Sequence, residues 1–469
     1  MNVLVVGLGQ TGLAAVQFFD KCGAKVSISD ISPRSAINLE TLAMLDRQGI
    51  YHEFGGHTAD LFKEVDLIFV SPGIPLTLEP LAVARSFAIP IVGEMAIVAQ
   101  YLKTPLVAVT GTNGKTTVTT LLGDIFRTCG KKVFVGGNIG TPLFEYLAGP
   151  QNADVVVAEI SSFQLDTGGD ADGLHPEVAL LLNISPDHLE RYASFEEYAA
   201  SKFKIFAGQN SSDIAIMSGD DPEIMRRRQL WPASRKYFFG SQLKDLPGAA
   251  LHGNMIRLTV AGQNDSSNIL ADESYDLSGT ALEGPPNRQN AAAAILAARL
   301  LGCSSHEIRQ GLLQFKPLAH RLSFLTDISG VKYYDDSKAT NVGAVYTALA
   351  ALDNPIILIA GGRDKGGDYA ILNELMQQKV KNLLLIGEAK EKMARAFNSI
   401  TNVEILDTMD AAVNKAASLA VPGDVVLLSP ACASFDMFQS YADRGNYFKK
   451  SVFKLKATVE MNGEISLTN

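Results

Sequence analysis

The sequence predicts an α/β protein built as three units of parallel sheet covered by helices, on three observations. Short apolar runs alternate with longer stretches of helical periodicity along most of the 469 residues. Two of those runs pass straight into glycine turns that open helices, at residues 7–12 and 111–114. The pattern restarts near residue 94 and again near residue 318, and a chain of this length exceeds one ordinary domain. The expected boundaries are therefore 1–93, 94–317 and 318–469.

Taken in order, VLVVG reads as a strand, residues 11–22 as a helix, and KVSISD and DLIFVSPG as two more strands. In the second unit PLVAV, KVFVGGNIG, DVVVAEISS and EVALLLNIS are buried strands. Residues 211–283 are more polar and less regular, an excursion of short strands, and an alanine-rich helix follows over 287–301. In the third unit VKYYDDS, NPIILIAGG, VKNLLLIGE and GDVVLLSP are strands with helices between. Past about Glu460 no element is expected.

Composition narrows the function classes. A net charge of −9 argues against nucleic acid as the main partner, while leaving room for a small anionic substrate held by a few local cations. The four cysteines, Cys22, Cys129, Cys303 and Cys432, are scattered without C-x-x-C spacing, which suggests neither a zinc knuckle nor a disulfide framework and fits a reduced compartment. The apolar N-terminus lacks a basic leader and is broken by Gly7, Gly9 and Gly12, so strand, turn and helix are expected there rather than a signal peptide. No uninterrupted apolar run is long enough for a membrane span.

The sharpest chemical signal is Thr110-Gly-Thr-Asn-Gly-Lys-Thr-Thr117, entered from a buried strand and continued as a helix. Glycines let backbone N–H groups turn towards phosphate oxygens, and the helix N-terminus favours the same anion. Lys115 supplies a point charge for terminal phosphates and Thr116 a hydroxyl for Mg²⁺. Only two residues separate Gly111 from Gly114, fewer than the general nucleotide loop has. Glu159 closes VVVAE at a strand end, where a carboxylate is either solvated or a metal ligand. His188, in Asn-Ile-Ser-Pro-Asp-His, follows another buried strand and reads as a structural histidine or a ligand. Lys202 falls within about 20° of the centre of the apolar face made by Phe195, Tyr198, Ala199, Ile205 and Phe206. It either snorkels or is a lysine held in a site, where a carbamate would turn its amine into a carboxylate-like metal ligand.

In the first unit Gly7-Leu-Gly-Gln-Thr-Gly12 on a strand–helix turn, with Asp30 ending the next strand, reads locally as a dinucleotide fingerprint. Any diphosphate can use such a turn, so NAD and a nucleoside diphosphate both stay open.

With these residues in hand, the chain resembles the Mur ligase family, which builds the peptide stem of bacterial cell-wall precursors. The carrying segments are GTNGKTT (111–117), GGNIGTP (136–142), EISSFQL (159–165), NISPDHLERY (183–192), DDSKATN (335–341) and SPACASFD (429–436), spread over most of the chain. The resemblance implies three domains: a Rossmann-like N-terminal domain for UDP, a central P-loop ATPase-type domain with the shortened phosphate loop, and a Rossmann-like C-terminal domain. It implies a cytoplasmic, monomeric, ATP-dependent ligase joining D-glutamate to UDP-N-acetylmuramoyl-L-alanine through an acyl phosphate, or a different amino acid in another branch of the family.

The resemblance also implies the role of each residue. Gly111, Thr112, Asn113, Gly114, Lys115, Thr116 and Thr117 cradle ATP, with Asn287 and Asn290 at the adenine and Arg321 and Asp336 at phosphate and ribose. Thr116 and Glu159 hold one Mg²⁺, and His188 with a carbamylated Lys202 the second; Lys115, His188 and Lys202 are the catalytic set. Gly9, Gln10, Thr11, Asp30, Ser71 and Gly73 hold the uridine diphosphate, and Asn138 and Gln164 the muramoyl-peptide part. Lys338, Thr340, Lys365, Ser434 and Phe435 hold D-glutamate. Pro286 stands where the family often has His, which puts the local adenine geometry in question. Because an acyl phosphate hydrolyses if water enters, closure of the third domain is expected to accompany the chemistry.

Overall fold

The computed structural model describes residues 1–167, 173–187, 191–243, 246–259, 273–316 and 319–467. Its first five strands, β1 (Asn2–Val6), β2 (Lys25–Asp30), β3 (Tyr51–Phe54), β4 (Leu67–Val70) and β5 (Ile91–Val92), form a parallel sheet in the order β3-β2-β1-β4-β5. The order reverses between β1 and β4, so the glycine turn after β1 and the Ser71 turn after β4 flank the switch point, where an open α/β sheet leaves a crevice.

Nine strands follow: β6 (Leu106–Thr110), β7 (Val133–Gly137), β8 (Val155–Glu159), β9 (Val178–Leu181), β10 (Ile214–Ser218), β11 (Arg235–Gly240), β12 (Gly248–His252), β13 (Met255–Thr259) and β14 (Ser274–Asp276). Their order is β14-β13-β12-β11-β10-β9-β6-β8-β7, parallel from β7 through β12 and antiparallel over the last two pairs. The third sheet holds β15 (Ser323–Ile328), β16 (Val331–Asp335), β17 (Ile356–Gly361), β18 (Val380–Ile386), β19 (Asn402–Ile405) and β20 (Val425–Leu428) in the order β15-β16-β20-β17-β18-β19. Only the β15–β16 pair in it is antiparallel.

By contacts the chain divides into two compact units. One comprises Met1–Ile184, Glu196–Leu277 and Gln289–Gln314 and carries the first two sheets; the other comprises Ser185–Phe195, Ser278–Arg288 and Phe315–Asn469 and carries the third.

Why these runs make sheets buried on both faces is visible in the third. Ile356, Leu358 and Ala360 of β17 join one core with Leu383, Leu385, Val425 and Leu427, while Ile357 and Ile359 join the opposite core with Leu384, Ile386, Val426 and Leu428. Period-2 alternation within a continuous apolar run fills both sides. Helices supply the complementary stripe: in Lys115–Thr128, Val118, Leu121, Leu122, Ile125 and Phe126 recur at i, i+3, i+4, i+7 and i+8 and are all buried. Within the first unit an aromatic cluster joins the two sheets. Phe144 packs 5.2 Å from both Phe18 and Phe69, and Phe18 lies 5.4 Å from Tyr101.

The structure departs from the sequence reading in two places. Strands β3, β5, β15 and β19 escape prediction; each lies at a sheet edge and is not buried along its length, β3, β15 and β19 lack an apolar run, and β5 is only two residues long. The C-terminal helix runs Tyr441–Leu467, past the expected end at Glu460, because extending a formed helix costs far less than starting one.

One glycine shows how tightly the first turn is built. A Cβ at Gly12 would lie 1.9 Å from the Gly7 carbonyl oxygen and 2.8 Å from Ser71 Oγ. Gly12→Ala should therefore lower unfolding stability by about 2 kcal/mol or more through steric strain. Denaturant unfolding checks this, and an unchanged midpoint would contradict it.

Candidate active site

Strand β6, buried along its whole length, delivers the chain into the phosphate loop. Gly111 and Gly114 take φ of +152° and +86°, and Gly114 forms the N-cap of the helix Lys115–Thr128. Both positions exclude a side chain on space as well as backbone. A Cβ at Gly114 would meet Asn290 Oδ1 at 2.3 Å, and one at Gly111 would meet Leu182 Cβ at 3.0 Å.

Asn183, immediately beyond β9, clamps this loop. Its carbonyl accepts from Thr112 N–H at 2.9 Å, its Oδ1 accepts from Asn113 N–H at 2.8 Å, and its Nδ2 donates to the Asn113 carbonyl at 3.0 Å. Those two N–H groups are thereby committed to Asn183, and the helix start that follows, from Gly114, is the part of the loop whose dipole favours an anion. Lys115 Nζ donates to the carbonyls of Gly111 at 2.8 Å and Thr112 at 2.9 Å. Lys202 is buried, as its place in the apolar stripe allows, and its Nζ also donates to Gly111 O, at 3.1 Å, with the Tyr198 ring 4.5 Å away. Tyr198 in turn hydrogen-bonds Thr112 Oγ1 at 3.1 Å.

Glu159 ends β8 directly beside this strand, in register with Val109. Its carboxylate is buried; Oε1 accepts from Asn138 Nδ2 at 2.8 Å, and Oε2 has no hydrogen-bond partner among the described residues. An orphaned buried carboxylate oxygen next to a phosphate loop fits a hard cation with oxygen ligands, and Thr116 offers a hydroxyl on the loop. Among the described residues no cluster of three or more His, Cys, Asp or Glu could hold a metal; His188 lies outside the described residues.

Asn138 also lines a cavity of about 410 Å³ at the switch point of the first sheet. Gly9, Gln10, Thr11, Asp30, Ser71, Gly73, Asn138 and Gln164 all border it, so the structure brings together every residue singled out for the UDP substrate. Asp30 serves the turn itself: its Oδ2 accepts from Leu8 N–H at 2.5 Å and its Oδ1 from Ser32 N–H at 2.7 Å. Ser71 Oγ donates to Gly7 O at 2.7 Å. Among the described residues the lining carries no lysine or arginine, so an anion there would rely on the N-terminus of the helix Gln10–Lys21 and on neutral donors.

Asn290 is buried against Gly114, and Asn287 lies one turn earlier on the same helix, Pro285–Leu300. Pro286 sits in that helix's first turn, where a missing N–H costs nothing.

In the second unit the singled-out residues follow the ends of adjacent strands. Asp336, Lys338 and Thr340 come after β16, Lys365 after β17, and Ser434 and Phe435 after β20. Asp336 is buried, accepts from Ser429 Oγ at 2.8 Å and Leu322 N–H at 3.0 Å, and has its carboxyl pushed up to about 7 by burial, against the pull of those donors and of Arg321. Lys338 Nζ stands 3.8 Å from the Tyr441 ring centre. Lys365 approaches Asp187 at 3.9 Å, and Asp187 also accepts from Asn341 Nδ2 at 3.0 Å. Ser434 is buried and Phe435 exposed. Arg321 half-emerges in the turn before β15.

Sequence reasoning missed the residue that ties these loops together. Arg444, fully buried, donates to the carbonyls of Ser337, Cys432 and Ala433 and to Ser337 Oγ. Burial lowers its guanidinium to about 10. The available signal was its helical phase: Arg444 shares the stripe of the buried Phe448 and Val452.

Comparison with known proteins agrees with this construction. Residues 1–93 match the Mur ligase MurD-like N-terminal domain, 109–298 the Mur ligase middle domain, and 320–432 the Mur ligase glutamate ligase domain. The chain belongs to the Mur ligase family, ATP-dependent enzymes of peptidoglycan precursor synthesis. It is 44% identical to the UDP-N-acetylmuramoylalanine--D-glutamate ligase of Desulfotalea psychrophila, with 96% of each chain covered, and 42% identical to that of Geotalea uraniireducens, with 97% of each covered. Its fold is similar to a pseudomurein peptide ligase type C from Methanothermus fervidus, with a TM-score of 0.60 at 20% identity, covering 97% of this chain and 100% of that one.

Two outcomes are expected. Asn183→Ala should raise the KM for ATP about tenfold through loss of the loop clamp, while UDP-substrate affinity stays level; equal effects on both, read by steady-state kinetics, would contradict the clamp. The raised Asp336 carboxyl makes the folded unit bind a proton more readily than the unfolded chain. Its stabilising contribution is therefore complete at acid pH and lost as pH rises through about 7. Against Asp336→Asn, the wild-type melting temperature should fall from about pH 5 to 8; a difference independent of pH would refute this.

Proposed function

We propose that the chain joins D-glutamate to UDP-N-acetylmuramoyl-L-alanine at the expense of ATP, as a cytoplasmic monomer. The observation that carries this reading is Asn138, which borders the first-sheet cavity and hydrogen-bonds Glu159 beside the phosphate loop. A ligand held at the glycine turn thus has its far end near the group that would handle ATP. The relatives' printed names, at 41–44% identity over nearly the whole chain, support the same substrates.

The chemistry has two steps. A carboxylate oxygen of the alanyl group attacks the γ-phosphorus; the bond from that phosphorus to the β,γ-bridging oxygen breaks and ADP leaves. The D-glutamate amine then attacks the acyl carbon, the carbon–oxygen bond to phosphate breaks, and the ammonium proton is lost. Lys115 and the N–H groups of the helix start hold the phosphate charge. Thr116 and Glu159 would hold one Mg²⁺, and His188 with a carbamylated Lys202 a second; these ions would neutralise charge on the transferring group. Asn287, Asn290, Arg321 and Asp336 are assigned to the nucleotide, and Lys338, Thr340, Lys365, Ser434 and Phe435 to D-glutamate. Binding energy from the remote uridine diphosphate, at Gly9, Gln10, Thr11, Asp30, Ser71 and Gly73, positions the carboxylate.

Phosphate release with ATP and UDP-N-acetylmuramoyl-L-alanine, across a panel of amino acids, tests the assignment; D-glutamate should stand alone, and release driven best by another amino acid would overturn it. Lys115→Ala should lower kcat by about 10²-fold or more while leaving UDP-substrate binding intact. Turnover near wild type would remove Lys115 from the reaction.

A further inference from the structure

Glu94 opens the helix Glu94–Tyr101 directly after Gly93, where the chain leaves the first sheet, and it is completely buried. Its carboxylate receives neutral donors: Leu143 N–H at 3.0 Å, Gln164 Nε2 at 2.7 Å, and Phe144 N–H. Those donors belong to two walls of the cavity. Gln164 borders it directly, and Leu143 begins the helix that ends the bordering segment holding Asn138, Gly140 and Pro142. Burial pushes the Glu94 carboxyl up. Carrying a carboxylate here is costly for mere packing, which an apolar residue would serve better.

The polarity of Gln164 explains what the carboxylate does. Gln164 Oε1 accepts from Ser161 N–H at 2.9 Å and from Ser161 Oγ at 3.0 Å, so both its lone pairs are used. One Nε2 hydrogen goes to Glu94, leaving the other as the sole group the amide can offer a ligand. A carboxamide at position 94 could accept from the backbone donors with its oxygen, but its NH₂ would then face the NH₂ of Gln164. Relief would require Gln164 to turn over and abandon Ser161.

We propose that Glu94 is a positioning residue that fixes Gln164 as a hydrogen-bond donor to an acceptor oxygen, carbonyl or carboxylate, on the muramoyl-peptide end of the substrate. This rests on the reading of the cavity as the UDP-substrate site. Glu94 itself touches no reacting group.

The test uses the full-length enzyme and three variants: Glu94→Gln, Gln164→Met, and the swap Glu94→Gln/Gln164→Glu. The swap retains every internal hydrogen bond. Its new amide at position 94 can donate to the new carboxylate at position 164, and that carboxylate can still accept from Ser161. What the swap removes is the donor offered to the ligand. Glu94→Gln and Gln164→Met should each raise the KM for UDP-N-acetylmuramoyl-L-alanine about tenfold, with the KM for ATP within about twofold of wild type. The swap should recover the melting temperature lost in Glu94→Gln without recovering that KM. A wild-type KM in Glu94→Gln, or a KM recovered together with stability in the swap, overturns the proposal. If Glu94→Gln does not fold, the swap decides; if neither folds, a wild-type KM in Gln164→Met overturns it. Wild-type enzyme that neither binds nor turns over the UDP substrate would instead overturn the cavity assignment.

Discussion

The carbonyl oxygen of Gly111 accepts hydrogen bonds from two lysine ammonium groups, Lys115 on the loop's own helix and the buried Lys202 from another. In the unmodified chain these are like charges on one oxygen, offset by the loop's carbonyls and the Tyr198 ring, and a carbamate on Lys202 would remove one of the two positive charges. The convergence depends on backbone geometry that only glycine adopts without strain at 111 and 114. It depends also on Asn183, whose three hydrogen bonds keep the Thr112–Asn113 segment from competing for the anion.

From this point a row of polar groups leads to the first sheet. Glu159 stands in register beside β6, Asn138 bonds it and borders the cavity, and Gln164, held by Ser161 and Glu94, forms the neighbouring wall. Gln164 has its orientation set by Ser161 and Glu94, neither of which borders the cavity. A polar side chain with its other hydrogen bonds already made holds its geometry before the ligand arrives, whereas Glu159 keeps one carboxylate oxygen open for a cation.

Legibility in the sequence followed burial. Strands with long apolar runs, such as β6, β8, β17 and β20, are interior to their sheets and buried, and the alternating residues of β17 and β20 reach both cores of the third sheet, so composition alone marks them. The edge strands β3, β15 and β19 need little apolar content, because one side of each faces no neighbour, and β5 is too short at two residues to carry a comparable mark. The site behaved similarly. Residues in glycine turns or at strand ends could be named from local pattern, because the chemistry of a turn is local. Glu94 and Asn183 could not, since their roles consist of bonds to segments 49 and 70 positions away.

Lys202 and Arg444 mark the middle ground. Each, when unmodified, is a cation at a position whose helical phase demands an apolar residue, and each proves buried with its charge directed at loop carbonyls: Gly111 for one, and Ser337, Cys432 and Ala433 for the other. Carbonyls at strand ends are left over when a parallel sheet stops, and a buried cation satisfies several at once where an apolar side chain would satisfy none. The cost of desolvating the charge is then the cost of holding a loop in one shape. On that argument a cation in an apolar helical stripe signals the place where strand-end loops must be kept rigid, and in this chain both instances sit under residues singled out for substrate or nucleotide.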